Sequence, residues 1–220
     1  MTRANALFRW VLLNAALATL TFLCAGSLNL PMLWAYLVVF AALTFVAAFV
    51  IDPELFKERS NPGDIGLDPF SGKGISILFL ATIALAALDV GRLHWTQSIA
   101  HLTQTIALVF VALLLSLQTW AMAVNPFFST AIRVQTERGH RVVTQGPYCV
   151  IRHPGYFAIL FNMPATAIAL GSYTALIPAI LCSVIVLRRT YREDRFLRQE
   201  LPGYPGYMMM VRYRLFPGLW

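Results

Sequence analysis

The chain has 220 residues, 58% of them hydrophobic and 12% charged, with a mean hydropathy of +0.66, which excludes a water-soluble single domain of this size. Disorder, collagen and coiled coil are excluded by the same figures. Lys and Arg number 17 against 10 Asp and Glu, a formal charge of +7, so the cations belong where an apolar protein meets anionic headgroups or an anionic ligand.

Crossing about 30 Å of hydrocarbon takes roughly 20 residues of helix. Uncharged apolar runs predict spans over residues 10–26, 33–51, 74–88 and 99–124. Two shorter runs follow, 156–170 and 175–187, separated by Gly171-Ser172-Tyr173. At 1.5 Å per residue each covers only about 20–24 Å, so the pair reads as a helical hairpin that barely crosses or stops short. Pro164 and Pro178 are expected to kink its arms. The expected fold is an all-α integral membrane protein with four long spans, a C-terminal helical hairpin and four to six crossings. It divides into residues 1–124, the N-terminal transmembrane helices, and residues 125–220, the half that carries the chemistry.

All 17 lysines and arginines except Arg92 fall in loops on one side of these spans, which assigns that side, both termini and any active site to the cytoplasm. The first run, after Arg3 and Arg9, ends at Cys24-Ala25-Gly26-Ser27. Leu23 before the cysteine argues against lipoprotein-type cleavage, so this run is read as the first span and not as a removed signal. Cys24, Cys149 and Cys182 are odd in number and contain no Cys-x-x-Cys, so they read as free thiols.

On the outer side, Asp89, Arg92, His94 and Trp95 read as an interfacial anchor, with Asp89 beside Arg92. His94 and His101 lie too far apart in sequence for a helical metal pair, and no metal is expected. The loop after the second span carries Asp52, Glu54, Lys57, Glu58, Arg59, Asp64 and Asp68 among Gly63 and Gly66, and reads as a solvated connection.

Between Asn125 and Pro154 the pattern changes. Ile132, Val134 and Thr136 alternate with Arg133 and Gln135, Arg138-Gly139-His140 makes a turn, and Arg141-Val142-Val143-Thr144 resumes the alternation, predicting a small β-hairpin at the membrane surface. Gln145-Gly146-Pro147-Tyr148 is a tight turn, and Arg152-His153-Pro154-Gly155-Tyr156 gathers polar groups at a helix N-terminus, where anions are favoured. The same residues also suit headgroup anchoring. The sixth helix continues past Leu187 to about Leu201, where Pro202-Gly203 stops it. Its Arg188, Arg189, Arg192, Arg195 and Arg198 suit headgroups, while Arg189 and Glu193 lie one turn apart and can pair.

Gly146-Pro147-Tyr148, Arg152-His153-Pro154-Gly155-Tyr156, Arg189 with Glu193-Asp194 and Leu197, then Tyr204, Tyr207 and the Arg-x-Arg-Leu-x-Pro-Gly-x-Trp ending together resemble the C-terminal half of the isoprenylcysteine carboxyl methyltransferase family. Relatives of that family include membrane phospholipid N-methyltransferases. Asp89-Val90-Gly91-Arg92 and Trp95 resemble an upstream element of bacterial members. There are two departures: Ala158 stands where the family has glycine, and Glu193-Asp194 replaces a pair of glutamates.

The resemblance implies an integral-membrane methyltransferase that uses S-adenosyl-L-methionine without a Rossmann domain, in keeping with the absence of Gly-x-Gly-x-x-Gly and Walker sequences. It implies cofactor contacts from Gly146, Pro147, Tyr148, Arg152, His153, Pro154 and Tyr156 on one wall, with Glu193 and Asp194 opposite. It also implies Arg189 and Glu193 as the catalytic pair, Arg189 orienting the acceptor and Glu193 fixing Arg189. The substrate would be a lipophilic small molecule, lipid or prenylcysteine entering from the bilayer; neither nucleic acid nor an obligate protein partner is expected. A carboxylate acceptor needs no base, whereas an amine or a thiol must lose a proton, with Glu193 or His153 as base for the amine. A sterol-reductase-like oxidoreductase and a non-catalytic lipid-binding protein are the readings from other classes.

Overall fold

Helices form along the apolar runs in the computed structural model, which describes residues 3–60, 62, 67–68 and 70–220. The elements are α1 (Arg3–Ala25), α2 (Pro31–Val50), α3 (Pro53–Ser60), α4 (Ser71–Leu88) continued by a π-helical turn (Asp89–Leu93), α5 (His101–Val124), α6 (Pro154–Ala169), α7 (Leu176–Glu200) and α8 (Tyr204–Met210). Four of them are long and apolar enough to cross a membrane: Leu7–Ala25, Pro31–Val50, Ser71–Leu93 and His101–Val124. On α5, Leu102, Ile106, Val109 and Leu113 recur at helical spacing and are 56–72% exposed, an apolar stripe that fits a helix crossing a membrane. Inside, Ala25, Ala86, Ala87, Ala167 and Ala179 are fully buried, because small side chains let membrane helices approach closely.

The C-terminal hairpin packs into this layer, α6 against α5 and α7 against α4. Its turn is tied to the far end of the bundle: Ser172 Oγ and Thr174 Oγ1 donate to Asp89 Oδ2 at 2.5 and 2.8 Å, and Tyr173 N–H donates to Thr96 Oγ1 at 2.9 Å. The hairpin therefore reaches the level of the α4–α5 connection instead of stopping short. Both prolines are accommodated. Pro178 sits in the first turn of α7, where its missing N–H has no helical acceptor. Pro164 lies inside α6 and strips Leu160 O of its usual donor, and Ser183 Oγ from α7 replaces that donor at 2.9 Å.

Asp89 is not the partner of Arg92. It is fully buried and also accepts from Thr96 N–H at 2.9 Å and Thr96 Oγ1 at 2.5 Å. Arg92 instead caps α1, donating to Cys24 O at 2.9 Å and Leu23 O at 3.1 Å, where the helix leaves its last carbonyls unpaired. His94 and His101 join no metal-binding group among the described residues.

Two expectations about the polar segments need correction. The β-hairpin is absent: among the described residues no strand forms, and residues 133–135 and 140–144 are irregular around a 3-10 turn (Thr136–Arg138) closed by Gly139 at φ 63°. Here the backbone bonds locally, with Gln135 N–H donating to His140 Nδ1 and Gln135 Nε2 to Phe127 O. The alternation of Val134 and Val142 reflects packing on Leu201, Tyr204 and Tyr207, not a ladder. The loop after the second span is not merely solvated either. Leu55 of α3 is fully buried, and Glu58 is held by Arg133 Nε at 3.2 Å, Arg133 Nη2 at 2.8 Å and Ser129 Oγ at 2.9 Å. Gly63, Asp64 and Gly66 lie outside the described residues.

Asp89→Ala leaves three side-chain hydroxyls and one N–H of the far-end turn without their acceptor. It is expected to cost about 3 kcal/mol, read as a lowered thermal midpoint of the detergent-solubilised protein; an unchanged midpoint would contradict this role.

Candidate active site

Opposite that far end, α6 begins, α7 carries its charged half and the C-terminal segment folds back between them. The organising group is Asp194, whose side chain is 1% exposed. Arg152 reaches it with Nε at 2.8 Å and Nη2 at 3.1 Å, His153 Nε2 lies 3.2 Å away, Tyr204 OH donates at 2.9 Å and Arg214 Nε at 2.8 Å. Burial alone would push this carboxyl up. The hydrogen bonds from His153, Arg152 and Arg214 outweigh it and hold Asp194 well below the usual carboxylate range.

The arrangement ties four separate pieces of sequence together. Arg152 Nη1 also donates to Val211 O at 2.8 Å and Arg212 O at 2.7 Å, and the backbone N–H groups of Arg152 and His153 donate to Tyr213 O and Arg214 O. Tyr207 OH donates to Tyr148 O at 2.6 Å, and Asn125 Nδ2 to Tyr148 OH at 3.1 Å. Gly146 opens its 3-10 turn (Gly146–Cys149) at φ 58°, a left-handed conformation that explains glycine before Pro147.

These pieces wall a small cavity of about 70 Å³ that opens to the outside. Tyr148, Arg152, His153, Tyr156 and Glu193 line it; Gly146, Pro147, Pro154, Arg189 and Asp194 do not. Asp194 and Glu193 are neighbours in sequence but point apart on α7, so Asp194 builds the wall while Glu193, 23% exposed in its side chain, faces the space. The remaining lining mixes Phe127, Phe128, Arg133, His140 and Arg141. Gly155 is required here because a Cβ would lie 2.3 Å from the Phe128 ring.

A relay runs from Arg189 through Tyr156 to Glu193. Arg189 Nε donates to Tyr156 OH at 2.5 Å and Tyr156 OH donates to Glu193 Oε2 at 2.5 Å, so the phenol bridges a guanidinium and a carboxylate that are 4.0 Å apart. Arg189 Nη2 donates to Thr130 O at 2.7 Å, while Nη1, buried with the rest of a residue only 2% exposed, has no partner among the described residues. Arg59 of α3 lies on the same side, its guanidinium 5.4 Å from the centre of the Phe128 ring and its Nη1 donating to Phe128 O at 3.3 Å.

Residues that sequence reasoning passed over include Glu58, Arg59 and His140. His140 stacks on Phe127 at 4.4 Å and accepts at Nδ1. Burial, then the Arg133 and Arg138 charges, push its pKa down to about 4, so it is neutral at physiological pH. Its signal was present as a histidine after a turn glycine; for Glu58, which meets Arg133 across 75 positions, no local signal exists.

The donor set fits S-adenosyl-L-methionine: a carboxylate for hydroxyls or an amino group, guanidinium groups for a carboxylate, and flat rings for adenine or sulfonium. Glu193, Arg133, Arg141, Tyr156, Phe127 and His140 offer these from the cavity wall.

Because the folded Asp194 carboxyl titrates below its unfolded value, its stabilisation is complete above the unfolded range near about 4 and drains away as pH falls below it. The thermal midpoint should therefore drop between pH 5 and 3 in the native protein, and this slope should flatten in Asp194→Asn, which starts lower by about 3–5 kcal/mol of lost pairing. Parallel pH profiles would contradict the assignment.

No curated protein matches the chain. The sequence model of the isoprenylcysteine carboxyl methyltransferase (ICMT) family matches residues 105–199, from α5 to the end of the charged half of α7, which takes in the cavity-lining Tyr156 and Glu193. Across that stretch the chain is similar to the ICMT family.

Proposed function

We propose that the protein is a multi-pass membrane methyltransferase that takes S-adenosyl-L-methionine into the cavity and methylates a lipophilic carboxylate of the isoprenylcysteine type. The observation that carries this reading is the Arg189–Tyr156–Glu193 relay, in which Tyr156 and Glu193 line the cavity and Arg189, behind them, has a buried Nη1 with no partner among the described residues. A buried guanidinium with an open donor favours an anionic acceptor. Arg59 adds a second cation nearby, and a protonated amine approaching both would be repelled. The lysine and arginine asymmetry supports a cytoplasmic site and cytoplasmic termini.

S-adenosyl-L-methionine, when bound, supplies an electrophilic methyl on a sulfonium, which passes to the acceptor oxygen as a neutral thioether leaves. The protein's contribution is alignment and exclusion of water. Arg189 holds the acceptor carboxylate. Tyr156 fixes the Nε edge of Arg189, and Glu193, by accepting from Tyr156, keeps the phenol pointing its lone pairs at the guanidinium. No proton transfer is required of any residue, since the carboxylate is already a nucleophile.

Methyl transfer from labelled S-adenosyl-L-methionine should appear with a prenylcysteine as a base-labile ester. Labelling of a lipid amine or thiol instead would move the acceptor while keeping the enzyme class. Turnover with nicotinamide cofactors and no methyl transfer would overturn the reading. Tyr156→Phe should lower kcat by about 10- to 100-fold, the effect of losing a bond that positions Arg189; unchanged kcat would remove the relay from the mechanism.

A further inference from the structure

A second polar feature lies on a different face of α7. Ile177, Leu181 and Val184 are 65%, 53% and 56% exposed and form one stripe along the apolar half of the helix. The same stripe continues, at the same helical spacing, into Arg188, Tyr191, Arg192 and Arg195, all exposed. There it forms one side of a groove completed by Leu67 and Phe196. Among the described residues Arg188 and Arg195 make no hydrogen bond or ion pair to protein, and only Asp68, 3.7 Å from Arg192 Nη1, offsets the charge. Arg189 and Glu193 project about 100–140° away around the helix axis, so this groove is separate from the methyl-transfer site.

We propose that this face of α7 is a binding site for an anionic phospholipid, its acyl chain along Ile177, Leu181 and Val184 and its phosphate among Arg188, Arg192 and Arg195. The single stripe that turns from apolar to cationic within one helix turn matches the change from acyl chain to headgroup in one lipid molecule. Exposed apolar side chains running directly into the groove distinguish this from a site for a soluble anion. Three guanidinium groups against one carboxylate favour a lipid with net negative charge over a zwitterionic one. Tyr191, 50% exposed, stands at the change with its ring 5.6 Å from the Arg214 guanidinium, where an amphipathic aromatic meets the interface. The proposal does not depend on which molecule is methylated, or on whether any is.

Native mass spectrometry of the detergent-solubilised protein, titrated separately with phosphatidylglycerol and phosphatidylcholine, tests it. One phosphatidylglycerol should bind at least about tenfold more tightly than phosphatidylcholine, and Arg188→Gln/Arg192→Gln/Arg195→Gln should lower that affinity by at least about tenfold. The control Lys57→Gln/Arg212→Gln, which removes two exposed charges outside the groove, should leave it unchanged. If the triple variant does not fold, Arg188→Gln and Arg195→Gln carry the test singly, since neither side chain has a partner among the described residues. Equal binding of the two lipids, insensitivity to the arginine substitutions, or displacement by millimolar inorganic phosphate would overturn it, the last by reassigning the groove to a soluble anion.

Discussion

A single carboxylate buried among cations is the constraint on which the cavity rests. Asp194 draws Arg152 and His153 from the start of α6, Tyr204 from α8 and Arg214 from the tail to one point on α7. Each of these groups is expensive to bury alone, and together they satisfy one another. Arg152 then spends its remaining donors on the carbonyls of Val211 and Arg212, so the tail is held by the residue that the carboxylate has already oriented. The segments that wall the cavity thus arrive as a connected network, and its loss would release the tail and the 3-10 turn of Tyr148 together.

The bilayer sets where such a network can exist. Exposed apolar stripes run along α5 and α7, and the charged side chains gather at the two ends of the bundle. At the far end Asp89 gathers hydroxyls and a backbone N–H that fix the turns. At the other end an aspartate again does the building, but there it leaves a neighbouring glutamate and a guanidinium with work still available. Rigid helices clamped at one end present Tyr156 and Glu193 at the other, which is the arrangement an alignment-driven reaction needs.

Much of this was legible in the sequence, for identifiable reasons. Span length and lack of charge are local properties, and they gave the four long helices to within a few residues; Pro202-Gly203 likewise ends α7 near its observed end at Glu200. The short runs at 156–170 and 175–187 left the reach of the hairpin open, because its turn is held by Asp89, more than 80 positions away. Alternation at 132–144 pointed to strands because lining a cavity and packing on α8 produces the same two-sided pattern as a pleat. Glu193 and Asp194 looked equivalent as a pair, and only their directions on α7 separate the residue facing the cavity from the one that builds it. Glu58 and Arg59 looked like surface charges because their partners, Arg133 and Phe128, come from a different part of the chain.

The central claim is that the cavity organised by Asp194 receives the methyl donor with Glu193 on its wall. Titration calorimetry of S-adenosylhomocysteine into the protein in lipid nanodiscs, beside a folded Glu193→Gln variant, tests it most directly. Saturable binding of one equivalent, weakened by about tenfold or more in the variant as expected for a lost charge-assisted hydrogen bond, is the predicted result. Absence of binding by the folded native protein, or identical binding by the variant, would contradict it.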